Sequence, residues 1–489
     1  MTFQADQPRA PYIAPSIPGL KANCLSYVEV LAQSVSVIAP STVPAAVLGL
    51  IFAAAGNGTW LSFLIGMAGL VLVSYSINQF ARRSASAGSL YSYIVKGLGS
   101  RAGVLGGCAL LFGYTLTGMS TLCGFVLTVN ALLGPLGLAV PSLLLSAIAV
   151  VVAFALAARD VQLSAKAMLA FEGAAIVAVL ALGIAVWKHT GFAIDRQQFT
   201  LVGTTPGGIL TGMVLVVFAF SGFESSTALG EEAKDPLRAI PRSVVQSVIV
   251  SGVVFIFMAY VVIIGFRGLN ADLGKSEAPL LALSDDLGLK WLGALISIGV
   301  VLSFFSCTLA SINATARIIF AMARHGLVPK VLGLAHPRNE TPYVAIGFAA
   351  VLTFLATSAL SLFGVSNFDG QGYFGTLCTF GFLTVYVLIS LAAPVYLYRI
   401  GELTRSSVIV AALAVVFMII PFLGVIGVPG SALFPPPDYP NNILVWLFLA
   451  FMIISATWLF TLQKLRPDTI DHVFDANGGQ KSGQGDGAH

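Results

Sequence analysis

Charged side chains are scarce in this chain of 489 residues. They make up 9% of it, whereas hydrophobic residues make up 57% and the mean hydropathy is +0.92. A soluble protein carries about 25% charged residues, so this chain lacks the polar surface to face water on all sides. Its apolar residues form long continuous runs rather than the alternating pattern of a transmembrane β-barrel. These features indicate an all-α polytopic membrane protein.

Residue patterns typical of enzymes are also missing. The sequence has no HExxH, GxSxG or Walker motif. The five histidines fall in predicted loops, tails or helix ends: His189, His325, His336, His472 and His489. We therefore expect no enzymatic activity, no cofactor and no metal site. The repeated polar rings or filter loop of a pore are absent too, so a channel is a less favoured alternative to a transporter.

Cysteines are few, and none of the five falls in a predicted outer loop, so we expect no disulfide. The first twenty residues are polar and proline-rich, without the short apolar core of a cleavable signal peptide. We expect the first hydrophobic helix to serve as an uncleaved insertion signal.

Twelve apolar stretches are long enough to cross a bilayer, which takes about 20 helical residues. The predicted spans cover residues 25–54, 60–80, 103–133, 140–158, 163–187, 207–229, 244–266, 291–323, 343–363, 373–398, 407–428 and 442–463. They divide into a first block of five spans (25–187), a second block of five (207–398) and two last spans (407–463). The flanking segments are 1–24 and 464–489, and we expect the second of these to be a disordered tail.

Lysine and arginine are distributed asymmetrically about these spans. With the N-terminus inside, the predicted inner segments hold 20 of the 25 basic residues and the outer segments hold 5. Positive charge concentrates on the cytoplasmic side of membrane proteins. We therefore expect a multi-pass protein of the plasma or inner membrane with both termini in the cytoplasm.

Span 1 is interrupted by prolines. Pro40 and Pro44 flank Ser41 and Thr42 near its middle. Because a proline removes a backbone donor and clashes with the carbonyl four residues back, this pair predicts an unwound turn. In lipid, such a break persists only where it is buried in protein or lines a wet cavity. A simple proline kink, in which the hydroxyls bond back to helix carbonyls, is the alternative.

Span 6 carries a glycine and a carboxylate inside an apolar helix. The stretch from Phe218 to Glu224 reads FAFSGFE. Gly222 weakens a helix, and a charged side chain at mid-helix costs roughly 2.5–3.5 kcal/mol on insertion scales. A second break with a functional carboxylate is the interpretation, and a structural, hydrogen-bonded Glu224 is the alternative.

The two breaks occupy matching positions, because spans 1 and 6 each open a block of five. Interrupted helices at matching positions of two halves indicate a transporter site. The free N–H groups and carbonyls of a broken helix suit a carboxylate and an ammonium respectively, so the pair of breaks suits an amino-acid zwitterion. The predicted substrate-binding residues are those at the breaks: Ile38, Ala39, Pro40, Ser41, Thr42, Phe218, Ala219, Phe220, Ser221 and Gly222.

Three motifs carry a resemblance to the amino acid–polyamine–organocation permeases. FAFSGFESSTALGEEAKDPLRAIPRS (218–243) resembles their sixth-helix region, and ASINATARIIFAMARHGLVPKVLGLAHPRNETP (310–342) resembles the end of their eighth helix and the loop that follows. SAGSLYSYIVKGLG (86–99) resembles their signature between helices 2 and 3. The resemblance extends over about residues 20–400. It implies two inverted five-helix repeats, as in sodium-coupled leucine transporters, followed by two further helices.

The same resemblance implies roles for individual residues. It aligns residues 39–41 with a Gly-Ser-Gly break, so both glycines are replaced here and the backbone approaches a substrate carboxylate less freely. It implies that Phe218 closes over the substrate, with ordinary packing as the alternative. The carbonyls of Phe218, Ala219 and Ser221 match the family's acceptors for the amino group, and Glu224 matches an acidic position of some members.

Glu172 is a second deep carboxylate. It lies about nine residues into span 5, or about 13 Å deep at 1.5 Å per residue. A carboxyl group at that depth can carry a proton, so Glu172 and Glu224 are the candidate proton-coupling residues; a structural Glu172 is the alternative. A sodium site would need oxygen ligands such as Thr308 and Ser311 of span 8. The helix-5 lysine of some family members has no counterpart, since Lys166 lies near the inner edge.

These observations predict a secondary active amino acid permease that works by alternating access around the two breaks, with proton-coupled uptake. An amine or polyamine permease and an amino acid exchanger are the alternatives. The scarcity of charge near the breaks favours a neutral or apolar substrate side chain. The expected partners are the small-molecule substrate, protons and the lipid bilayer, and no nucleic acid. The acidic loop with Glu231 and Glu232 is predicted to pair with the basic loop between spans 8 and 9 and to close a cytoplasmic gate.

Overall fold

Helices account for nearly all of the regular structure in the computed structural model. The described residues are 12–13 and 19–476, except 135, 136, 139, 270, 277 and 432. The helices are α1 (Tyr27–Ile38), α2 (Leu48–Ala55), α3 (Thr59–Ala81), α4 (Ser89–Leu98), α5 (Ser100–Leu133), α6 (Ser142–Arg159), α7 (Val161–His189), α8 (Arg196–Phe199), α9 (Pro206–Ala219), α10 (Pro236–Phe266), α11 (Pro279–Asp286), α12 (Lys290–Arg324), α13 (Tyr343–Leu362), α14 (Asn367–Arg399), α15 (Arg405–Ile426), α16 (Asn441–Leu465) and α17 (Pro467–Ala476). Two short strands, β1 (Tyr12–Ile13) and β2 (Ser84–Ala85), pair in parallel.

Ten segments of the described chain are long and apolar enough to cross a membrane, which confirms an all-α polytopic protein. The first segment, Tyr27–Ala81, has 55 residues and contains α1, α2 and α3. That length exceeds what a single crossing needs, and the chain turns at Gly56, whose φ is +53°. Pro206–Ala219 is apolar but shorter than the ten.

The predicted break in span 1 is present as an unwound segment. Helix α1 ends at Ile38, and Ala39 adopts a left-handed conformation with φ +51°. The chain resumes as a π-helical turn (Val43–Val47) that leads into α2. A side chain in the left-handed region costs roughly 1–2 kcal/mol, so this break is held by its surroundings rather than by local preference.

The predicted break in span 6 is present as well. Helix α9 ends at Ala219, and Gly222 has φ +89°. A Cβ atom at Gly222 would lie 2.2 Å from Cγ1 of Val37 in α1, so the glycine lets the two breaks approach each other. A 3₁₀ helix (Ser225–Leu229) follows. Its Ser225 hydroxyl donates to the carbonyl of Gln33, 3.2 Å away.

Helix α5 packs extensively against α12 and α14. The sequence predicted a disordered tail over 464–489. The structure instead continues α16 to Leu465 and adds α17. Ile470 and Val473 lie three residues apart, on one face of α17, and are buried. That apolar face is the physical reason that this part of the tail is ordered. The end of the predicted tail, 477–489, lies outside the described residues.

Candidate substrate site

A cavity of about 70 Å³ lies between the two breaks. Segment 37–47 forms one side and the end of α9 another, and helices α5, α12 and α14 complete the wall. The polar lining residues are Thr42, Thr117, Ser120, Thr121, Ser221, Cys307, Gln371 and Cys378, and the apolar ones are Val37, Ile38, Ala39, Val43, Ala46, Val47, Phe218, Ala219 and Phe304. Of the described residues that line it, none is Asp, Glu, Lys, Arg or His.

The ten predicted substrate-binding residues divide into two sets. Ile38, Ala39, Thr42, Phe218, Ala219 and Ser221 line the cavity. Pro40, Ser41, Phe220 and Gly222 belong to the same breaks but do not line it. The structure therefore brings the two predicted breaks together around one cavity, and it turns some break residues toward neighbouring helices instead.

Backbone donors at the span 1 break already have internal partners. The N–H of Ser41 donates to Oε1 of Glu172, 3.3 Å away, and the N–H of Thr42 donates to the carbonyl of Ala39, 3.0 Å away. Pro40 and Pro44 have no N–H group to offer. The exposed N–H groups expected at this break are thus largely used within the protein.

Carbonyl groups at the end of α9 are less constrained. The carbonyl of Phe218 accepts from the N–H of Ser221 at 3.0 Å. A carbonyl oxygen has two lone pairs, so this one retains a site for a further donor. Ala219 and Ser221 also line the cavity. This end of the site can accept hydrogen bonds from an ammonium group.

Glu172 lies beside the span 1 break but does not line the cavity. Its Oε1 accepts from both the N–H and the hydroxyl of Ser41, the latter at 3.1 Å. Its Oε2 accepts from the hydroxyl of Ser303 in α12, 2.5 Å away. Only 2% of Glu172 is exposed. One carboxylate of α7 thus joins the span 1 break to α12.

Glu224 lies between two tyrosines. The hydroxyls of Tyr114 in α5 and Tyr386 in α14 each donate to one of its carboxylate oxygens, both at 2.7 Å. The Tyr386 oxygen also accepts from the N–H of Gly222 at 3.0 Å. All three side chains are fully buried. This arrangement ties the span 6 break to α5 and α14, and it satisfies the carboxylate that the sequence placed in an apolar helix.

Sequence reasoning missed the wall that α5, α12 and α14 contribute. Thr117, Ser120 and Thr121 follow each other at helical spacing in α5, and this repeat in an apolar span is the signal that was available. Phe304 and Gln371 carry no such signal, because single aromatic or amide residues are common in membrane helices. Their contribution depends on how distant helices pack.

Glu232 of the acidic loop after span 6 pairs with a residue of α12, not with the loop between spans 8 and 9. Glu232 and Arg317 form a bidentate pair, with Nη2 of Arg317 at 2.9 Å from Oε1 of Glu232, and both are essentially inaccessible. Glu231 accepts instead from the N–H of Ala87 at 3.2 Å. For Glu232 the predicted partner was therefore wrong, because its carboxylate pairs with an arginine inside α12.

Residues 21–25 of the N-terminal segment bind to the loop after span 6 that contains Glu232. The N–H groups of Cys24 and Leu25 both donate to the carbonyl of Glu232 at 2.9 Å. Lys21 forms an ion pair with Asp160, between α6 and α7, at 3.2 Å. Residues 21–25 thus bridge the loop after span 6 and the junction of α6 with α7.

Arg267, Asp195 and Asn57 form a polar cluster at the end of the helices opposite the Glu232–Arg317 pair. Nε of Arg267, after α10, donates to Asp195 at 2.7 Å, and its Nη2 donates to Asn57 at 2.7 Å. Burial raises the pKa of Asp195, but the hydrogen bonds from Gln198 and Arg267 outweigh burial and hold that pKa below its ordinary value. The cluster attaches the loop that contains α8 to the start of α3 and the end of α10.

Comparison with known proteins confirms the resemblance seen in the motifs. The family model described as amino acid permease matches residues 30–463. The branched-chain amino acid permease BcaP of Bacillus subtilis is 27% identical over 369 residues, which are 72% of this chain and 76% of that protein. The BcaP of Lactococcus lactis is 28% identical over 307 residues, or 58% of this chain and 65% of the relative. The cationic amino acid transporter 3, mitochondrial, of Arabidopsis thaliana is 28% identical over 352 residues, or 68% and 56%.

Proposed function

Since this chain belongs to the amino acid permease family, we propose that it is a secondary active permease for amino acids with neutral, apolar side chains. The observation that carries the substrate class is the cavity between the breaks, whose described lining includes no acidic or basic side chain. A cationic side chain would need a fixed anion in the cavity, and the two nearby carboxylates are engaged elsewhere. The names of the two bacterial relatives agree with this class, and that of the plant relative supports a cationic substrate as the second candidate.

The proposal includes twelve crossings. Counting Tyr27–Ala81 as two spans and adding Pro206–Ala219 to the other nine candidate segments supports that number. Breaks at the first helix of each five-helix block are consistent with two inverted repeats followed by α15 and α16. The excess of lysine and arginine in alternate loops supports cytoplasmic termini, and the proposal places the protein in the cell membrane.

Transport by alternating access requires the break segments to move relative to the helices that hold them. The substrate's amino group would bond to carbonyls at the end of α9, where Phe218 and Ala219 line the cavity. Its carboxylate would lie toward the span 1 break, where Thr42 also lines the cavity. The Glu232–Arg317 pair would keep the cytoplasmic side closed while the substrate binds from outside.

The contacts of Glu172 support a role for this residue in proton coupling. An ionised carboxylate at the start of the outer half of span 1 interacts favourably with the backbone N–H groups there. Protonation removes the negative charge and so weakens these hydrogen bonds, which loosens the link between the span 1 break and α12. Glu224 is the second candidate, but its two tyrosine donors favour a structural role.

Uptake into proteoliposomes tests the proposal. Purified protein is given labelled leucine, arginine or putrescine, with and without an inward proton gradient. Saturable leucine uptake that the gradient drives uphill is the expected result. Uptake that needs unlabelled amino acid inside the vesicles would indicate an exchanger, and preference for arginine would indicate a cationic amino acid transporter. Non-saturable flux without counterflow would contradict a carrier mechanism.

A further inference from the structure

The ring of Phe218 rests against bare backbone of α14 at Gly375. A Cβ atom on Gly375 would lie 2.9 Å from Cζ and 3.2 Å from Cε2 of Phe218. Ordinary carbon–carbon contacts are about 3.5–4.0 Å, so any side chain at this position requires the ring to move by about 0.5 Å or more. Gly375 is itself buried in the wall of the cavity, between the lining residues Gln371 and Cys378.

Glycine in the middle of a helix lowers helix stability by about 1 kcal/mol relative to alanine, so Gly375 calls for a structural explanation. The neighbouring Gly372 lies on the same helix with nothing within 4 Å of a Cβ atom placed there. Gly375 differs from it by the close approach of Phe218 and of the Ser120 hydroxyl, which a Cβ would meet at 3.4 Å. The absence of a side chain at 375 is thus what allows the far end of the Phe218 ring to lie this close to α14.

The direction of a displaced ring follows from the shape of the site. Phe218 lines the cavity from α9, and segment 37–47 forms another part of the wall. Because the ring lines the cavity, we expect a ring pushed away from α14 to move into it. With a volume of only about 70 Å³, the cavity has little room to absorb that movement.

We propose that Gly375 is a specificity-determining residue, which sets how large a substrate side chain the site accepts by fixing the position of the Phe218 ring. This inference rests on the proposed function, and it adds a residue that touches the ring rather than the substrate. A methyl group at 375 narrows the cavity for a branched side chain and leaves a small side chain almost unaffected.

The test measures KM for leucine, alanine and phenylalanine in proteoliposomes of the wild type and of three variants. In Gly375→Ala, KM for leucine is expected to rise roughly tenfold relative to KM for alanine, the lower end of the discrimination that one methylene group gives in an apolar pocket. Gly372→Ala is the matched control, with the same substitution on the same helix, and its ratio should equal that of the wild type. Phe218→Leu removes the ring and should shift preference toward bulkier substrates such as phenylalanine.

The contact between the two positions is tested by combining them. If Gly375 acts through the ring, Gly375→Ala should have little effect in the Phe218→Leu background, because non-additivity marks residues that act through one another. An unchanged leucine-to-alanine ratio in Gly375→Ala, or an equal effect in both backgrounds, would overturn the inference while wild-type uptake stands. Absence of amino acid uptake by the wild type would instead overturn the proposed function.

Discussion

The buried pair between Glu232 and Arg317 is expected to hold the cytoplasmic side closed. Replacing Arg317 with methionine keeps the bulk of the side chain but leaves Glu232 without its charged partner in a site with essentially no access to water. Removal of one member of a buried pair typically costs about 3–5 kcal/mol. If opening toward the cytoplasm exposes Glu232 to water, the closed form bears this cost, and the population of the open form rises by about 100-fold or more.

Cys24 can report that opening. It is buried next to the pair, and its N–H donates to the carbonyl of Glu232. Burial raises the pKa of the Cys24 thiol to about 11 from an ordinary value of 9.0, so its reactive thiolate is about 100-fold scarcer at neutral pH. In a variant with the other four cysteines replaced by alanine, Arg317→Met should speed maleimide labelling of Cys24 in inside-out vesicles.

Two further variants make the result decisive. Glu232→Gln combined with Arg317→Met removes both charges and should slow labelling again, since the unpaired charge rather than the lost contact is the main cost. Arg238→Met breaks an exposed pair with Asp235 and should leave labelling unchanged. Equal labelling of Cys24 in the wild type and Arg317→Met, together with equal melting temperatures in detergent, would refute the reasoning.

Three other outcomes follow from the contacts of buried or partly buried side chains. Glu172→Gln keeps an acceptor for the N–H of Ser41 but cannot ionise, so substrate counterflow should persist while gradient-driven accumulation is lost; accumulation equal to that of the wild type would remove Glu172 from coupling. Tyr386→Phe leaves both the Gly222 N–H and one Glu224 oxygen unpaired, and each unpaired group costs about 1–3 kcal/mol. Tyr114→Phe leaves only one Glu224 oxygen unpaired, so Tyr386→Phe should lower the melting temperature more. The reverse order would contradict the double role of the Tyr386 hydroxyl. Asp195→Asn should destabilise the protein at pH 7, because the folded-state pKa of Asp195 is depressed. The stability difference from the wild type should shrink as the pH falls below the ordinary aspartate pKa of about 3.9. A stability difference that persists at acid pH in thermal unfolding would argue against an ionic contribution of Asp195.

Features that depend on neighbouring residues in the chain were predictable from the sequence. Pro40 with Pro44, and Gly222 beside Glu224, marked both interruptions, because proline and glycine act on their own turn of helix. The structure confirms both breaks. Family membership was predictable as well, since its motifs are contiguous stretches of sequence.

Features that depend on contacts between distant residues were not predictable in the same way. The sequence placed Glu232 in an acidic loop but assigned it to the wrong partner, because Arg317 lies 85 residues from Glu232 in the chain. The prediction of a disordered tail was wrong over 467–476, again because of contacts with distant residues: α17 is ordered by packing of Ile470 and Val473. A periodicity argument cannot show which surface will cover a short apolar face.

The sequence by itself determined that this chain is helical, lies in a membrane, belongs to a permease family and is interrupted at two places. These properties follow from composition, local backbone chemistry and contiguous motifs. Only the tertiary structure decided that Glu172 bonds to Ser41 and Ser303, each 131 residues away, and that Phe218 lies on Gly375. Which groups meet inside a helical bundle depends on the rotation and depth of each helix against its neighbours. A buried membrane helix is apolar on every side, so its hydrophobic pattern encodes neither its rotation nor its depth.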